Sequence, residues 1–221
     1  MPKSFLKTIA FIGPSLTRNE IDNACDVQIN APIRRGDLAK CGNFDIIVII
    51  DGEFAQSLSV SPKEILSLLE QRKVVIGASS MGALRASELN QFGMIGVGWV
   101  YERFVKATVR MDDDVALCYS PIDFTPLTVP MVDIEYWLDG LVCGNVISQR
   151  NRRTALHMAR NIFYADRTTA RVQEILESLL GSAIKESLGM EGGCCVPSIK
   201  ALDAKRALDV AMAIASGRNP A

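Results

Sequence analysis

Two adjacent serines, Ser79 and Ser80, carry the clearest chemical signal in the chain. They lie in Val74-Val75-Ile76-Gly77-Ala78-Ser79-Ser80-Met81-Gly82-Ala83-Leu84-Arg85-Ala86-Ser87-Glu88-Leu89. The β-branched run Val74 to Ile76 favours a buried strand, and Leu84, Ala86 and Leu89 sit among good helix formers. Only small residues separate the two, so the turn is tight and a serine is aimed at the open end of a sheet. The first N–H groups of the following helix stand unpaired beside it. A hydroxyl facing free backbone donors suits attack on a carbonyl or capture of an anion. Ser80 holds the central position of an elbow-like turn whose first glycine is replaced by Ala78; Ser79 competes if the turn falls one residue earlier. Met81 and Gly82 would supply the backbone donors. The alternative is that both serines only cap the helix.

Other groups extend the set. Asp51 ends the most hydrophobic run, Asp45-Ile46-Ile47-Val48-Ile49-Ile50, and precedes Gly52; it either orients a partner or stops the strand. Lys63, in the first turn of a helix, is a possible base towards a serine if desolvated, and otherwise begins a solvated helix with Glu64. Arg35, in Arg34-Arg35-Gly36-Asp37, either holds a carboxylate in bidentate fashion or lies in a surface turn. Arg85, five residues after Ser80, either reaches back to an anion or pairs with Glu88 at i+3. The single histidine, His157, falls in a helical pattern and reads as a helix residue. Asp112-Asp113-Asp114 reads as a solvated acidic turn, and Cys194-Cys195 carries no mark of a reactive thiol.

The elements that must position these groups alternate. Leu6 to Ile12 reads as a strand closed by Gly13-Pro14, and Thr17-Arg18-Asn19-Glu20 has capping-box form and opens a short helix. Val27 to Ile29 and Asp45 to Ile50 read as strands. Ser61-Pro62-Lys63-Glu64 starts a helix running to about Gln71. This alternation predicts an α/β fold: a Rossmann-like parallel sheet flanked by helices. Segments near 130–143, 148–163, 168–180 and 198–216 carry helical periodicity. The expected division is an α/β domain over 1–124 and a C-terminal helical region over 125–221. Ligands of open parallel sheets gather beyond the carboxyl ends of strands. Those ends present Gly13-Pro14-Ser15, the 30–37 stretch, Asp51-Gly52 and Ser79-Ser80, so Ser15 joins the candidate site.

The 221 residues are 48% hydrophobic with a formal net charge of −1. That balance, with no long basic run, does not suggest nucleic-acid binding. No apolar span approaches membrane length and no signal-peptide pattern opens the chain. The six cysteines have no metal-ligand or framework spacing, and one histidine nearly excludes a multi-histidine centre. The expectation is a cytoplasmic protein with neither metal nor other cofactor.

Taken together, these residues resemble the TfuA-like family. The resemblance runs from Gly13-Pro14-Ser15-Leu16 through Ala31-Pro32 with Arg35-Gly36-Asp37-Leu38, and Ile50-Asp51-Gly52 with Phe54. It continues through Lys63-Glu64-Ile65-Leu66, the specific block Gly77 to Leu89, Gly93 to Gly98, and Asp112 to Leu117. It implies a partner of a YcaO-type enzyme in converting peptide backbone amides to thioamides. The implied partners are that enzyme, a ubiquitin-like sulfur-carrier protein and the peptide substrate. One implied role is hydrolysis of a thiocarboxylated carrier, with Ser80 as nucleophile, Lys63 as base and Asp51 orienting it. Ser15, Arg35, Ser79, Met81, Gly82 and Arg85 would bind the substrate. The other is a non-catalytic module that recruits the enzyme or the carrier. Relatives often carry histidine where this chain has Pro62 and near Tyr119, which leaves a serine–lysine or carboxylate-assisted mechanism as the catalytic form.

Overall fold

The computed structural model describes residues 6–17, 20–21, 27–54, 57–106, 112–180 and 196–218. Its described strands are β1 (Thr8–Phe11), β2 (Val27–Asn30), β3 (Ile46–Ile49), β4 (Val74–Ala78) and β5 (Ile95–Val97). All pair in parallel, in the order β2-β1-β3-β4-β5. The fold is therefore the α/β parallel sheet that the alternation predicts. Its helices are α1 (Pro62–Glu70), α2 (Met81–Leu89), α3 (Trp99–Val105), α4 (Met131–Cys143), α5 (Gln149–Arg160), α6 (Thr169–Leu180) and α7 (Ile199–Ala215).

The central strands read as continuous apolar runs because both faces are covered. Side chains alternate across a strand, so Ile47 and Ile49 of β3 join Ile65 and Leu68 of α1 and Met81 and Ala86 of α2 in one cluster. Ile46, Val48 and Ile50 join Ala204, Ala207, Leu208 and Ala211 of α7 in another. β5 was not foreseen in the sequence; it is only three residues long and has Gly96 at its centre. The helix expected after Thr17 falls largely on residues outside those described. Thr17 does show the capping contact, its N–H and hydroxyl both donating to Glu20 Oε2 at 3.0 and 2.9 Å.

The chain forms two compact units, residues 1–112 with 200–221, and residues 113–199. This division differs from the expected break after residue 124. The last helix belongs with the sheet, since its alanine stripe completes the sheet's second core. The other unit packs α4, α5 and α6 around Met131, Ile134, Leu138, Ala155, Ala159, Val172 and Leu176. Within it the fully buried Arg167 donates to the carbonyls of Ala159 and Ile162 at 3.3 and 3.1 Å, closing the end of α5. Burial pushes that guanidinium's pKa down, against the pull of Asp113 and Asp114.

Candidate functional site

The strand order reverses between β1 and β3, and that is where an open α/β sheet forms its crevice. Gly13 and Ser15 follow β1, and Asp51 follows β3. Asp51 is 2% exposed. Its Oδ2 accepts the N–H groups of Gly13 and Ser15, both at 2.9 Å, and its Oδ1 accepts the Ser15 hydroxyl at 2.6 Å. Three donors thus compensate the buried side chain. Asp51 is engaged by Gly13 and Ser15 rather than by Lys63.

Ser79 extends this network from β4. Its hydroxyl is shared between Ser15 Oγ at 3.0 Å and the Lys200 carbonyl of α7 at 2.6 Å. The cluster therefore links the ends of β1, β3 and β4 with the first turn of α7. Ser79 has φ +70° and no exposure. A non-glycine residue held in this region costs on the order of 1–3 kcal/mol, and the two bonds of its hydroxyl support it. Of the two serines, Ser79 therefore makes the strained elbow.

Ser80 stands at the N-cap of α2. Its side chain makes no cap bond and no other hydrogen bond to the described residues. Beside it, the N–H groups of Met81 and Ala83 have no acceptor among the described residues. Gly82 differs from expectation as a donor, because its N–H is taken by the Ile50 carbonyl at 3.2 Å. Close packing is what Gly82 provides. A Cβ there would lie 1.7 Å from the Ile49 carbonyl oxygen, and one on Gly77 would lie 2.2 Å from the Gly82 oxygen. These two glycines let α2 rest directly on β3 and β4. The Met81 side chain is buried, its sulfur accepting the Ser59 hydroxyl at 3.7 Å.

The remaining predicted residues lie elsewhere. Arg35 and Arg85 converge on the segment before α1: Arg35 Nε donates to the Ser59 carbonyl at 3.4 Å, and Arg85 donates to the Val60 carbonyl and the Ser59 hydroxyl at 2.9 and 3.1 Å. Arg85 also pairs with Glu88 at 2.7 Å, the i+3 alternative. Lys63 is exposed, and its ammonium has no bond to another described residue. Glu64 closes a capping box with Ser61 and accepts the Gly36 N–H at 2.6 Å. His157 is exposed on α5, with its ring 3.4 Å from the Asn161 amide.

Among the described residues no His, Cys, Asp and Glu group has metal-site form. In the acidic turn, Asp114 is buried and paired with Arg160. Burial, reinforced by Asp37, pushes the Cys41 thiol up. Cys25, Cys194 and Cys195 lie outside the described residues.

Two charged residues of α7 were not among the sequence candidates. Lys200 is 1% exposed and Asp203 is fully buried. Asp203 accepts the Trp99 and Val100 N–H groups at 2.9 and 2.8 Å, capping α3 from across the sheet end. Gly98 makes the approach possible, since a Cβ would lie 2.2 Å from the Asp203 carboxyl carbon, and its φ is +97°. Desolvation raises the Asp203 pKa from 3.8 to about 6, outweighing the two backbone bonds and Arg206.

A family model for TfuA-like proteins matches residues 51–168, more than half of the chain. The chain belongs to the TfuA-like family. The match begins at Asp51 and includes Lys63, Ser79, Ser80 and Arg85. Ser15 and the α7 residues lie outside the matched stretch. Comparison with curated proteins finds no match. None of the described helices is long and apolar enough to cross a membrane.

Proposed function

We propose that this TfuA-like protein is a cytoplasmic accessory factor in YcaO-dependent thioamidation of a peptide backbone, acting on a thiocarboxylated, ubiquitin-like sulfur carrier. The observation that carries this reading is the buried turn where the Ser80 hydroxyl, 2% exposed, and the Met81 and Ala83 N–H groups beside it have no hydrogen-bond partner among the described residues. A thiocarboxylate is an acyl group whose leaving atom is sulfur, and an acyl carbon at this turn would meet a nucleophile and oxyanion donors together. Ser80 Oγ bonds to the carbonyl carbon and the C–S bond breaks. The hydroxyl proton leaves with the sulfur as hydrosulfide. Water then cleaves the serine ester, releasing the carboxylate carrier and one proton and restoring Ser80. Asp51, Ser15 and Ser79 are positioning residues that hold the strained turn.

The non-catalytic reading has its own support: no titratable side chain among the described residues is hydrogen-bonded to Ser80. In that case the same turn holds the carrier's end, and recruitment of the YcaO-type enzyme is the function. Incubating the full chain with thiocarboxylated carrier separates the two. Hydrolysis gives free sulfide and a carrier whose terminal sulfur is replaced by oxygen. Ser80→Ala then lowers the rate by about 10⁴-fold or more. Unchanged turnover in Ser80→Ala moves the nucleophile to Ser79 or to no serine. Binding of the carrier without sulfide release establishes the recruiting role.

A further inference from the structure

The start of α2 keeps donors that nothing among the described residues accepts. α2 runs for nine residues, Met81–Leu89. The start of such a helix carries a partial positive charge and N–H groups in need of acceptors. A serine at the N-cap commonly supplies one acceptor, yet the Ser80 side chain makes no cap bond. The Ile50 carbonyl takes the second N–H of the helix, that of Gly82, at 3.2 Å, and the Ser80 N–H closes back on the Ala78 carbonyl at 2.7 Å. The first N–H, of Met81, and the third, of Ala83, stay open among the described residues.

The Ser80 side chain is an independent sign of a ligand. The residue is 2% exposed, and its hydroxyl has no partner among the described residues. A polar group taken out of water without a bond costs about 1–3 kcal/mol. Its oxygen is not sealed, because the fully enclosed side-chain N or O atom without a partner among the described residues is Arg167 Nη1. A small molecule can therefore reach the hydroxyl. One that accepts from an O–H and two helix N–H groups at once is best an anion, since each bond is then charge-assisted. The opening is narrow, Met81 and Ala83 being 1% and 0% exposed. That suits a planar head with two acceptor atoms on one carbon rather than a tetrahedral phosphate. Asp51, next to Ile50, turns its oxygens to Gly13 and Ser15 and leaves these three donors open.

We propose that the turn from Ser80 to Ala83 is a receptor for a small acyl monoanion, a carboxylate or thiocarboxylate, which it holds by charge in preference to a neutral amide or thioester. That this anion ends a carrier rests on the reading above; the preference for charge rests on the turn alone. A carrier that has lost its sulfur still ends in a carboxylate, so it competes with the thiocarboxylated form for the turn. The test titrates the full isotope-labelled chain with acetate and with acetamide, a neutral molecule of the same shape, at neutral pH and constant ionic strength. The readout is the NMR signals of the Met81 and Ala83 amides. Acetate moves both signals to saturation, and acetamide at the same concentration does not. Ser80→Ala weakens acetate binding by about tenfold, the loss of one bond to a charged group, and thermal melts confirm that the variant folds. In the sulfide-release assay, unthiolated carrier with a free carboxyl terminus inhibits competitively, and the same carrier with an amidated terminus does not.

Met81 and Ala83 signals that acetate leaves in place, or that acetamide moves as much, overturn the receptor while leaving carrier hydrolysis to stand on its own assay. That comparison needs no variant, so it decides even where Ser80→Ala disturbs the turn. Equal movement by inorganic phosphate makes the turn a general anion site and overturns the acyl assignment. Acetate affinity unchanged in a folded Ser80→Ala removes the hydroxyl from the site and overturns the proposal as well. Acetate binding without any binding or hydrolysis of the carrier overturns the carrier reading and leaves the acyl-anion receptor intact.

Discussion

Burial of Asp203 makes the stability of the sheet unit depend on pH in a defined direction. Its carboxyl is carried from 3.8 to about 6 by desolvation, with the Trp99 and Val100 N–H groups and Arg206 opposing and Glu102 adding to the rise. The folded state therefore holds this proton more tightly than the unfolded chain. The site's contribution is fully present below about pH 4 and is lost as pH climbs through about 6. A shift of this size corresponds to about 3 kcal/mol. The perturbation is Asp203→Asn, which cannot titrate and retains an acceptor for one of the two N–H groups. Urea denaturation of both proteins at constant ionic strength between pH 4 and 8 gives the stability difference at each pH. That difference should move towards the wild type by about 2.4 kcal/mol as pH falls from 8 to 4. Groups common to both proteins cancel in the subtraction. A difference that stays flat across the range would refute the claim that a desolvated, titrating Asp203 ties α7 to α3.

Two further outcomes follow from single residues. Gly82→Ala would place a methyl 1.7 Å from the Ile49 carbonyl oxygen, so a loss of about 3 kcal/mol or more is expected in denaturant titration; a near-neutral result would mean that α2 can lift from the sheet. His157→Gln should leave any thiocarboxylate hydrolysis under the proposed function nearly unchanged, with no imidazole step in the pH–rate profile; a 10³-fold drop or so with binding retained would make His157 the general base.

The sheet core was legible because its physics is local. An apolar run buried on both faces has a recognisable composition, and β3 matches the Asp45–Ile50 run to within a residue at either end. Ser61 and Pro62 begin α1 as the capping chemistry requires. β5 was not legible: Ile95-Gly96-Val97 has a glycine at its centre and only three residues, and its strand state comes from pairing with β4 rather than from propensity. The place of α7 is not legible for a different reason. Its periodicity marks a helix, but nothing local says that its alanine stripe completes a sheet begun almost two hundred residues earlier.

The site divides along the same line. Ser15 and Asp51 meet because the strand order puts the ends of β1 and β3 side by side, and the expectation that polar strand ends converge anticipates that meeting. Lys200 and Asp203 carried a signal that was present and unread. They share the i, i+3, i+4, i+7 stripe with Ala204 and Ala207, so two charged groups sit on a face otherwise made for burial. A charge in that position must be compensated, and for Asp203 the partners are the unpaired N–H groups of α3. The glycines of the Gly77–Gly82 block look like ligand chemistry in sequence, yet the contacts of Gly77 and Gly82 with neighbouring backbone explain them through packing alone. Packing explains neither a serine at φ +70° nor, at a helix start, a hydroxyl with no bond to the described residues. Those two features are therefore where the case for chemistry rests, and Ser80→Ala tests it more directly than any change to the glycines around it.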